Sequence, residues 1–203
     1  RLFGAYLASS GASRLVDKYP ELIFRVPFVR KIFPDAKFIL LVRNGWDTCR
    51  SIDNWSDRLG VKQGEDQHDW WGVNRRKWNL LIDQLVPQYE DLAPYAEEIR
   101  CWSSQADMAA LEWIVTMREG VKLQHEYPAD VFSIKYEELC SAPRQKMMEL
   151  CDFASLPHDE TFLRYATQTF HPVASKTAFS LSSIIEQPFK NTMLTLGYGD
   201  DSA

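Results

Sequence analysis

The sequence lacks the patterns that mark metal-binding, disulfide-rich and membrane proteins. Its four cysteines form no C-x-x-C pair, which excludes a zinc ribbon and gives no disulfide framework. Its four histidines show no H-x-H or H-x-x-x-H spacing, so we predict no metal site. The longest central apolar run, Phe38 to Val42, is far shorter than the ~20 residues of a membrane span. Free, mostly buried thiols and the lack of a visible signal peptide predict a reducing, cytoplasmic location.

Neither sign of charge is in large excess. The 23 Lys and Arg residues against 28 Asp and Glu residues give a formal net charge of −5. This balance argues against general nucleic-acid binding, which needs cations to neutralise phosphates, but it allows a local basic pocket. The 203 residues, 45% of them hydrophobic, suffice for one core, and no repeat or linker divides them. We therefore predict a single domain over residues 1–203.

Two segments have the patterns of strands. Residues 36–43 form a continuous apolar run typical of a covered strand in a parallel sheet, and residues 131–136 alternate. A polar surface loop is predicted at 56–68. The main predicted helices are 21–33 (kinked at Pro27), 46–55, 70–85, 108–123, 143–153 and 160–170. This alternation predicts an α/β fold of three layers, a parallel sheet flanked by helices. Because two strands cannot make a stable sheet, more are expected in weak segments such as Leu15–Lys18 or upstream of Arg1.

The most informative stretch is residues 33–51, FPDAKFILLVRNGWDTCRS. Arg43 ends the predicted strand, at the sheet edge where open α/β folds bind ligands, and its guanidinium matches the geometry of phosphate. Ser51 on the next helix adds a hydroxyl, and the helix start adds the positive end of its dipole. These features predict an anion site. The alternative is an ion pair between Arg43 and Asp47 or Asp53.

The same stretch resembles the sulfotransferases that use 3′-phosphoadenosine 5′-phosphosulfate (PAPS), whose pattern is FPdAKfI-x-x-xR(N/D)P-x-D-x-x-x-S. The spacing of eight from Arg43 to Ser51 agrees with that pattern in full. Further blocks resemble other elements of the family. Lys18-Tyr19-Pro20 resembles its K-T-P element, and Leu111-Glu112-Trp113 resembles its helix tryptophan. Val131 to Pro143 resembles its V-x-x-(V/I)-x-YE-(D/E)-L-x-x-x-P strand and turn, and Leu196-Gly197-Tyr198 resembles its usual ending. The resemblance covers residues 17–198 and implies a P-loop NTPase-like fold.

The resemblance also implies roles for individual residues. Arg43 and Ser51 would hold the 3′-phosphate of PAPS, and Tyr136 would lie by the nucleotide unless it is a core tyrosine. Lys18 would point at the transferring sulfuryl group or the bridging oxygen; its alternative role is that of a solvated lysine before a turn. Lys176 would add a C-terminal contact to the 3′-phosphate, or be a solvated tail lysine. No metal is required.

One departure concerns the donor loop. The family binds the 5′-phosphosulfate in a G-x-x-(R/K)-(S/G)-G-(T/S) loop that precedes the K-T-P block. Residues 9–13 (SSGAS) are small and polar but lack the preceding apolar strand and the basic residue. We therefore expect the sequence to be truncated at its N-terminal end, and this fragment alone to have lost useful donor binding.

The other departures concern the base and the turn. Small-molecule members carry a histidine two residues after the lysine, where this chain has Pro20, so the general base is unassigned. Gly45 stands where the family usually has proline. The candidates for the base are Asp17, Glu21, His68 and Asp69.

We predict a sulfotransferase that moves the sulfuryl group of PAPS to a hydroxyl or amine of a small molecule, glycan or peptide. The alternative is a non-catalytic relative that retains the fold as a nucleotide-binding or interaction domain. The seven tryptophans are explained either by core packing or by an acceptor pocket for an apolar or aromatic alcohol. The sequence leaves the acceptor and the oligomeric state open.

Overall fold

A parallel pair of strands forms the centre of the fold. The computed structural model describes residues 2–172 and 179–199. Strand β1 (Phe38–Val42) pairs in parallel with β5 (Val131–Lys135), so that Phe38 lies opposite Val131 and Val42 opposite Lys135. Both strands lie within the predicted ranges, residues 36–43 and 131–136, and are shorter than predicted.

Helices make up most of the rest of the described chain. They are α1 (Leu2–Ser10), α2 (Val26–Ile32), α3 (Gly45–Leu59), α4 (Arg76–Gln84), α5 (Ala96–Arg100), α6 (Gln105–Glu126), α7 (Tyr136–Ser141), α8 (Pro143–Phe153), α9 (Glu160–Thr169) and α10 (Ser183–Thr195). Short 3₁₀ helices cover Pro20–Arg25, Val86–Gln88 and Ala93–Tyr95. Among the residues described, no helix has both the length and the apolar character needed to cross a membrane.

Helices cover the parallel sheet in layers. On one side, α3, α4, α6 and α10 supply the largest apolar cluster, in which Trp78, Ile114 and Phe189 are fully buried. Helix α6 packs closely there, since a Cβ at Gly120 would lie 2.7 Å from a methyl carbon of Leu40. Against β5, Ile134 belongs to a second cluster with residues of α8 and α9. This arrangement confirms the predicted α/β fold, a parallel sheet flanked by helices.

The strand expected within Leu15–Lys18 is not formed. Residues 13–19 have no regular secondary structure, and Val16 is 82% exposed, so the apolar pair Leu15-Val16 is not packed as a strand would be. In the described part of the chain the parallel sheet therefore keeps two strands.

The segment between α3 and α4 also differs from its prediction. Residues 56–68 were predicted as a polar loop, but α3 continues to Leu59 and an antiparallel hairpin follows, β2 (Val61–Gln63) and β3 (Asp66–Asp69). Strand β4 (Gly72–Val73) then pairs with β3. Helix α4 starts only at Arg76, because Gly72, Asn74 and Arg75 have positive φ angles that interrupt the predicted helix 70–85.

Candidate functional site

A cavity opens beside the carboxyl end of β1. Its volume is about 260 Å³, and its lining residues are Arg43, Asp47, Ser51, Asn54, Trp55, Arg58 and Leu59. The structure thus brings the strand-end arginine and the helix serine to one cavity, as the anion-site hypothesis requires. Their roles toward a ligand stay predictions.

Helix α3 supplies most of the cavity wall. Asp47, Ser51, Asn54 and Arg58 follow one another at intervals of three or four residues, which puts them on one face of the helix. Asn44 fixes where that helix begins, because its Oδ1 accepts a hydrogen bond from the Trp46 backbone N–H at 2.9 Å. The same helical spacing could have predicted Asp47, Asn54 and Arg58 as cavity residues from the sequence. Of the residues in the cavity wall, the prediction named only Arg43 and Ser51 as residues that bind the anion.

The Arg43 guanidinium contacts an aromatic ring rather than a carboxylate. Its Cζ lies 4.9 Å from the centroid of the Tyr136 ring, which brings these two predicted site residues together. Among the described residues Arg43 forms no ion pair, so the alternative pairing with Asp47 or Asp53 is absent there. A hydrogen bond with the Cys140 side chain, followed by burial, raises the pKa of Tyr136. Within the described residues, the Arg43 guanidinium thus lines the cavity beside Tyr136 without a carboxylate partner.

Glu137 joins three segments behind the cavity. Its Oε1 accepts a hydrogen bond from the Asn44 backbone N–H at 2.8 Å, and its Oε2 accepts one from the Tyr198 hydroxyl at 2.7 Å. Burial, and then the hydrogen bond to Glu137, raises the pKa of Tyr198 well above its usual range. The carboxylate thus holds the turn after β1 to the start of α7 and to the tail after α10. The blocks that contain Glu137 and Tyr198 were both recognised in the sequence, but no sequence pattern indicates that they contact each other.

We expect Glu137→Gln to lower the free energy of unfolding by about 1–3 kcal/mol. The carboxylate accepts hydrogen bonds from the Asn44 N–H and the Tyr198 hydroxyl, whereas the amide would turn its NH₂ group toward one of these two donors. Urea denaturation would measure the loss. Glu138→Gln is the control, since the Glu138 carboxylate is half exposed and pairs with Lys146 at the surface. Equal stability of the two variants would contradict the bridging role.

Gly45, at the start of α3, lacks room for a side chain. A Cβ there would lie 2.5 Å from Cζ and 2.9 Å from Cε2 of Phe189. The Phe189 ring is fully buried and contacts the rings of Trp46 and Trp113, so it cannot move aside easily. Close packing by α10 therefore leaves no room at this position for a side chain, including the proline of the pattern that the sequence resembles.

Gly45→Ala should destabilise the chain by about 1–3 kcal/mol through overpacking against Phe189. Thermal or urea unfolding would measure it. Gly4→Ala is the matched control, because Gly4 lies in α1 with nothing within 4 Å of a new Cβ. There alanine should be neutral or slightly stabilising, since it is the better helix former. An unchanged Gly45→Ala protein would show that the turn tolerates a side chain.

The structure does not bring Lys18 to the cavity wall. Lys18 and Asp17 lie in the exposed segment that precedes the 3₁₀ helix Pro20–Arg25. Glu21, at the start of that helix, has its Oε1 3.7 Å from the Lys77 ammonium. Glu21 thus connects the 3₁₀ helix that follows Lys18 to Lys77.

A line of contacts runs from Lys77 to the cavity. The Lys77 ammonium pairs with Glu112 at 2.6 Å, and the Trp70 indole N–H donates to the other oxygen of Glu112 at 2.6 Å. The Trp70 ring meets the ring of Trp55, a cavity residue, with centroids 5.5 Å apart. Glu21 of the 3₁₀ helix and Trp55 of the cavity therefore lie at the two ends of one contact network.

The remaining predicted residues lie away from the cavity wall or outside the described part. His68 and Asp69 are on β3, where Asp69 accepts a hydrogen bond from the Trp71 backbone N–H at 2.8 Å. Lys176 lies outside the described residues. Within the described ranges, no three His, Cys, Asp or Glu side chains are grouped so that they could hold a metal ion.

Core packing accounts for most of the tryptophans. Trp71, Trp78 and Trp113 are at most 3% exposed, whereas Trp55 is 38% exposed and lines the cavity. Among the described tryptophans, Trp55 is therefore the one exposed at the cavity, and the Trp70 ring contacts it.

Comparison with known proteins identifies the chain's relatives. Residues 3–95, which include Lys18, β1, the cavity and α4, match a sequence model described as "Sulfotransferase family". Protein-tyrosine sulfotransferase A of Caenorhabditis elegans is 24% identical over 154 residues, 76% of this chain and 30% of that protein. Both findings make the chain similar to sulfotransferases over part of its length. A second C. elegans relative is 22% identical over 156 residues, 76% of this chain and 44% of that protein.

The fold of the chain is also similar to that of a solved structure. The sulfotransferase domain from the curacin biosynthetic pathway superimposes with a TM-score of 0.55 at 16% identity, covering 98% of this chain and 67% of that one. At that identity the likeness establishes the fold alone. The chain spans less than half the length of the two curated relatives. The N-terminal truncation and the single domain over 1–203 stay predictions.

Proposed function

We propose that the protein is a PAPS-dependent sulfotransferase that transfers a sulfuryl group to a hydroxyl or amine acceptor. The observation that supports this most is the cavity at the end of β1, lined by both the Arg43 guanidinium and the Ser51 hydroxyl. It lies within the segment that matches the sulfotransferase family.

In this proposal the cavity binds the 3′-phosphate of PAPS. A phosphate monoester carries a charge of about −1.5 to −2 at neutral pH, which a guanidinium fork can bind through two parallel hydrogen bonds. The Ser51 hydroxyl donates a further hydrogen bond from α3. Tyr136 packs against Arg43 and limits where the guanidinium can turn.

Transfer then needs no covalent enzyme intermediate. The acceptor oxygen or nitrogen attacks the sulfur in line, the bond from sulfur to the bridging oxygen of the 5′-phosphate breaks, and adenosine 3′,5′-bisphosphate leaves. The acceptor proton passes to a base, for which Asp17, Glu21, His68 and Asp69 remain the candidates. Lys18 stabilises the charge that develops on the bridging oxygen.

Tyrosine is the first acceptor to test. The named C. elegans relative favours a phenolic acceptor by similarity. Other hydroxyl and amine acceptors stay open.

The test uses the full-length natural protein with PAPS and a tyrosine-containing peptide. Adenosine 3′,5′-bisphosphate should raise the melting temperature, and radiolabelled sulfate should pass from PAPS to the peptide or to another acceptor. Binding without transfer to any acceptor would favour the non-catalytic alternative, which the missing donor-loop motif supports. No shift in melting temperature at millimolar ligand would contradict nucleotide binding altogether.

A further inference from the structure

The cavity contains a second guanidinium, that of Arg58. Arg58 lies in the last turn of α3, seven residues beyond Ser51, so its Cα is about 10 Å further along the helix axis. Side chains of an α-helix lean toward its N-terminus, which directs the long Arg58 side chain back toward Ser51. Arg58, Ser51 and Arg43 accordingly line the same cavity.

Arg58 also differs from many arginines of this chain in its contacts. Four others are paired with carboxylates at 2.6 or 2.7 Å: Arg30, Arg100, Arg118 and Arg144. Within residues 2–172 and 179–199, neither Arg58 nor Arg43 has such an ion pair. Both guanidiniums therefore keep their hydrogen-bond donors for a ligand.

Arg58 adds to the positive charge of the cavity. Asp47 is a lining residue too, and it is only 7% exposed. A second guanidinium therefore strengthens the attraction of an anion to a lining that also contains a carboxylate, in a chain whose overall net charge is −5.

We propose that Arg58 is a second ligand of the 3′-phosphate, binding it from the side opposite Arg43 with the Ser51 hydroxyl between them. The proposal rests on the proposed function, because the dianion is taken to be the 3′-phosphate of PAPS. It adds a binding residue and a reason for preferring a dianion over a monoanion. The cavity volume is below the ~300–1,000 Å³ of typical small-molecule sites, which fits a phosphate group rather than a whole nucleotide.

Calorimetric titration of the full-length protein tests this with two ligands, adenosine 3′,5′-bisphosphate and adenosine 5′-phosphate. Arg58→Ala should weaken binding of the bisphosphate about 10- to 100-fold and leave binding of the 5′-phosphate unchanged. Arg58→Lys should recover part of the affinity, since it restores the charge without the fork. Arg164→Ala, at an exposed position of α9, is the control and should change neither.

The outcomes separate this proposal from the proposed function. Suppose that Arg43→Ala no longer prefers the bisphosphate to the 5′-phosphate, whereas Arg58→Ala still does. The proposal for Arg58 is then wrong, and the proposed 3′-phosphate site at Arg43 is retained. If Arg58→Ala weakens both ligands equally, Arg58 does not act on the 3′-phosphate. If the unmodified protein binds neither ligand, both proposals fail.

Discussion

Arg43→Ala should weaken binding of adenosine 3′,5′-bisphosphate by about 3 kcal/mol, roughly a hundredfold, because it removes two charged hydrogen bonds to the 3′-phosphate. Stability should change little, since the guanidinium contacts the Tyr136 ring, and a partly exposed cation–π contact contributes about 0.5–1 kcal/mol. Titration calorimetry on the full-length protein measures the affinity, and urea denaturation measures the stability.

Arg43→Lys is the informative companion of that variant. Lysine keeps the charge but not the planar fork, so the affinity should fall between those of the parent and the alanine variant. If all three proteins bind the bisphosphate equally, Arg43 does not contact the nucleotide. If the alanine variant loses stability instead of affinity, Arg43 is a structural residue.

Lys18→Ala should lower the rate of sulfuryl transfer about 10²–10³-fold, because it removes a cation that stabilises charge developing on the bridging oxygen. Affinity for adenosine 3′,5′-bisphosphate should change much less, since that product no longer carries the transferring group. The measurement is a single-turnover rate from PAPS to the acceptor with the full-length protein. Lys18 lies in an exposed segment, so folding should be unaffected.

Lys62→Ala is the control for that rate. Lys62 is an exposed lysine of the β2–β3 hairpin, away from the cavity lining, so its removal should leave the rate unchanged. A Lys18→Ala enzyme as fast as Lys62→Ala would return Lys18 to the alternative role of a solvated lysine before a turn.

The elements that the sequence predicted well are those with strong local signals. Strand β1 is one continuous apolar run, and α8 begins at Pro143 and ends at Phe153 as predicted, because a proline at the first turn marks its start. The β2–β3 hairpin was missed since its residues are polar and mostly exposed, which leaves no apolar alternation to detect. The positive φ angles at Asn74 and Arg75 were likewise not predictable from residue type, because neither residue is a glycine.

The site could be predicted only where its residues are close in sequence. Arg43 and Ser51 are separated by eight positions on consecutive elements, so the strand-to-helix turn alone brings them to one cavity. Glu137 and Tyr198 reach that turn from 93 and 154 positions away, through folding that no local pattern encodes. The packing of Phe189 on Gly45 is likewise a contact between residues distant in sequence, which no local pattern predicts.

The most direct test of the account is a crystal structure of the protein with adenosine 3′,5′-bisphosphate bound. We predict that the 3′-phosphate lies in the cavity at the end of β1, with its oxygens in hydrogen-bond distance of the Arg43 guanidinium and the Ser51 hydroxyl. A 3′-phosphate that projects into solvent, or a nucleotide bound elsewhere on the chain, would contradict it.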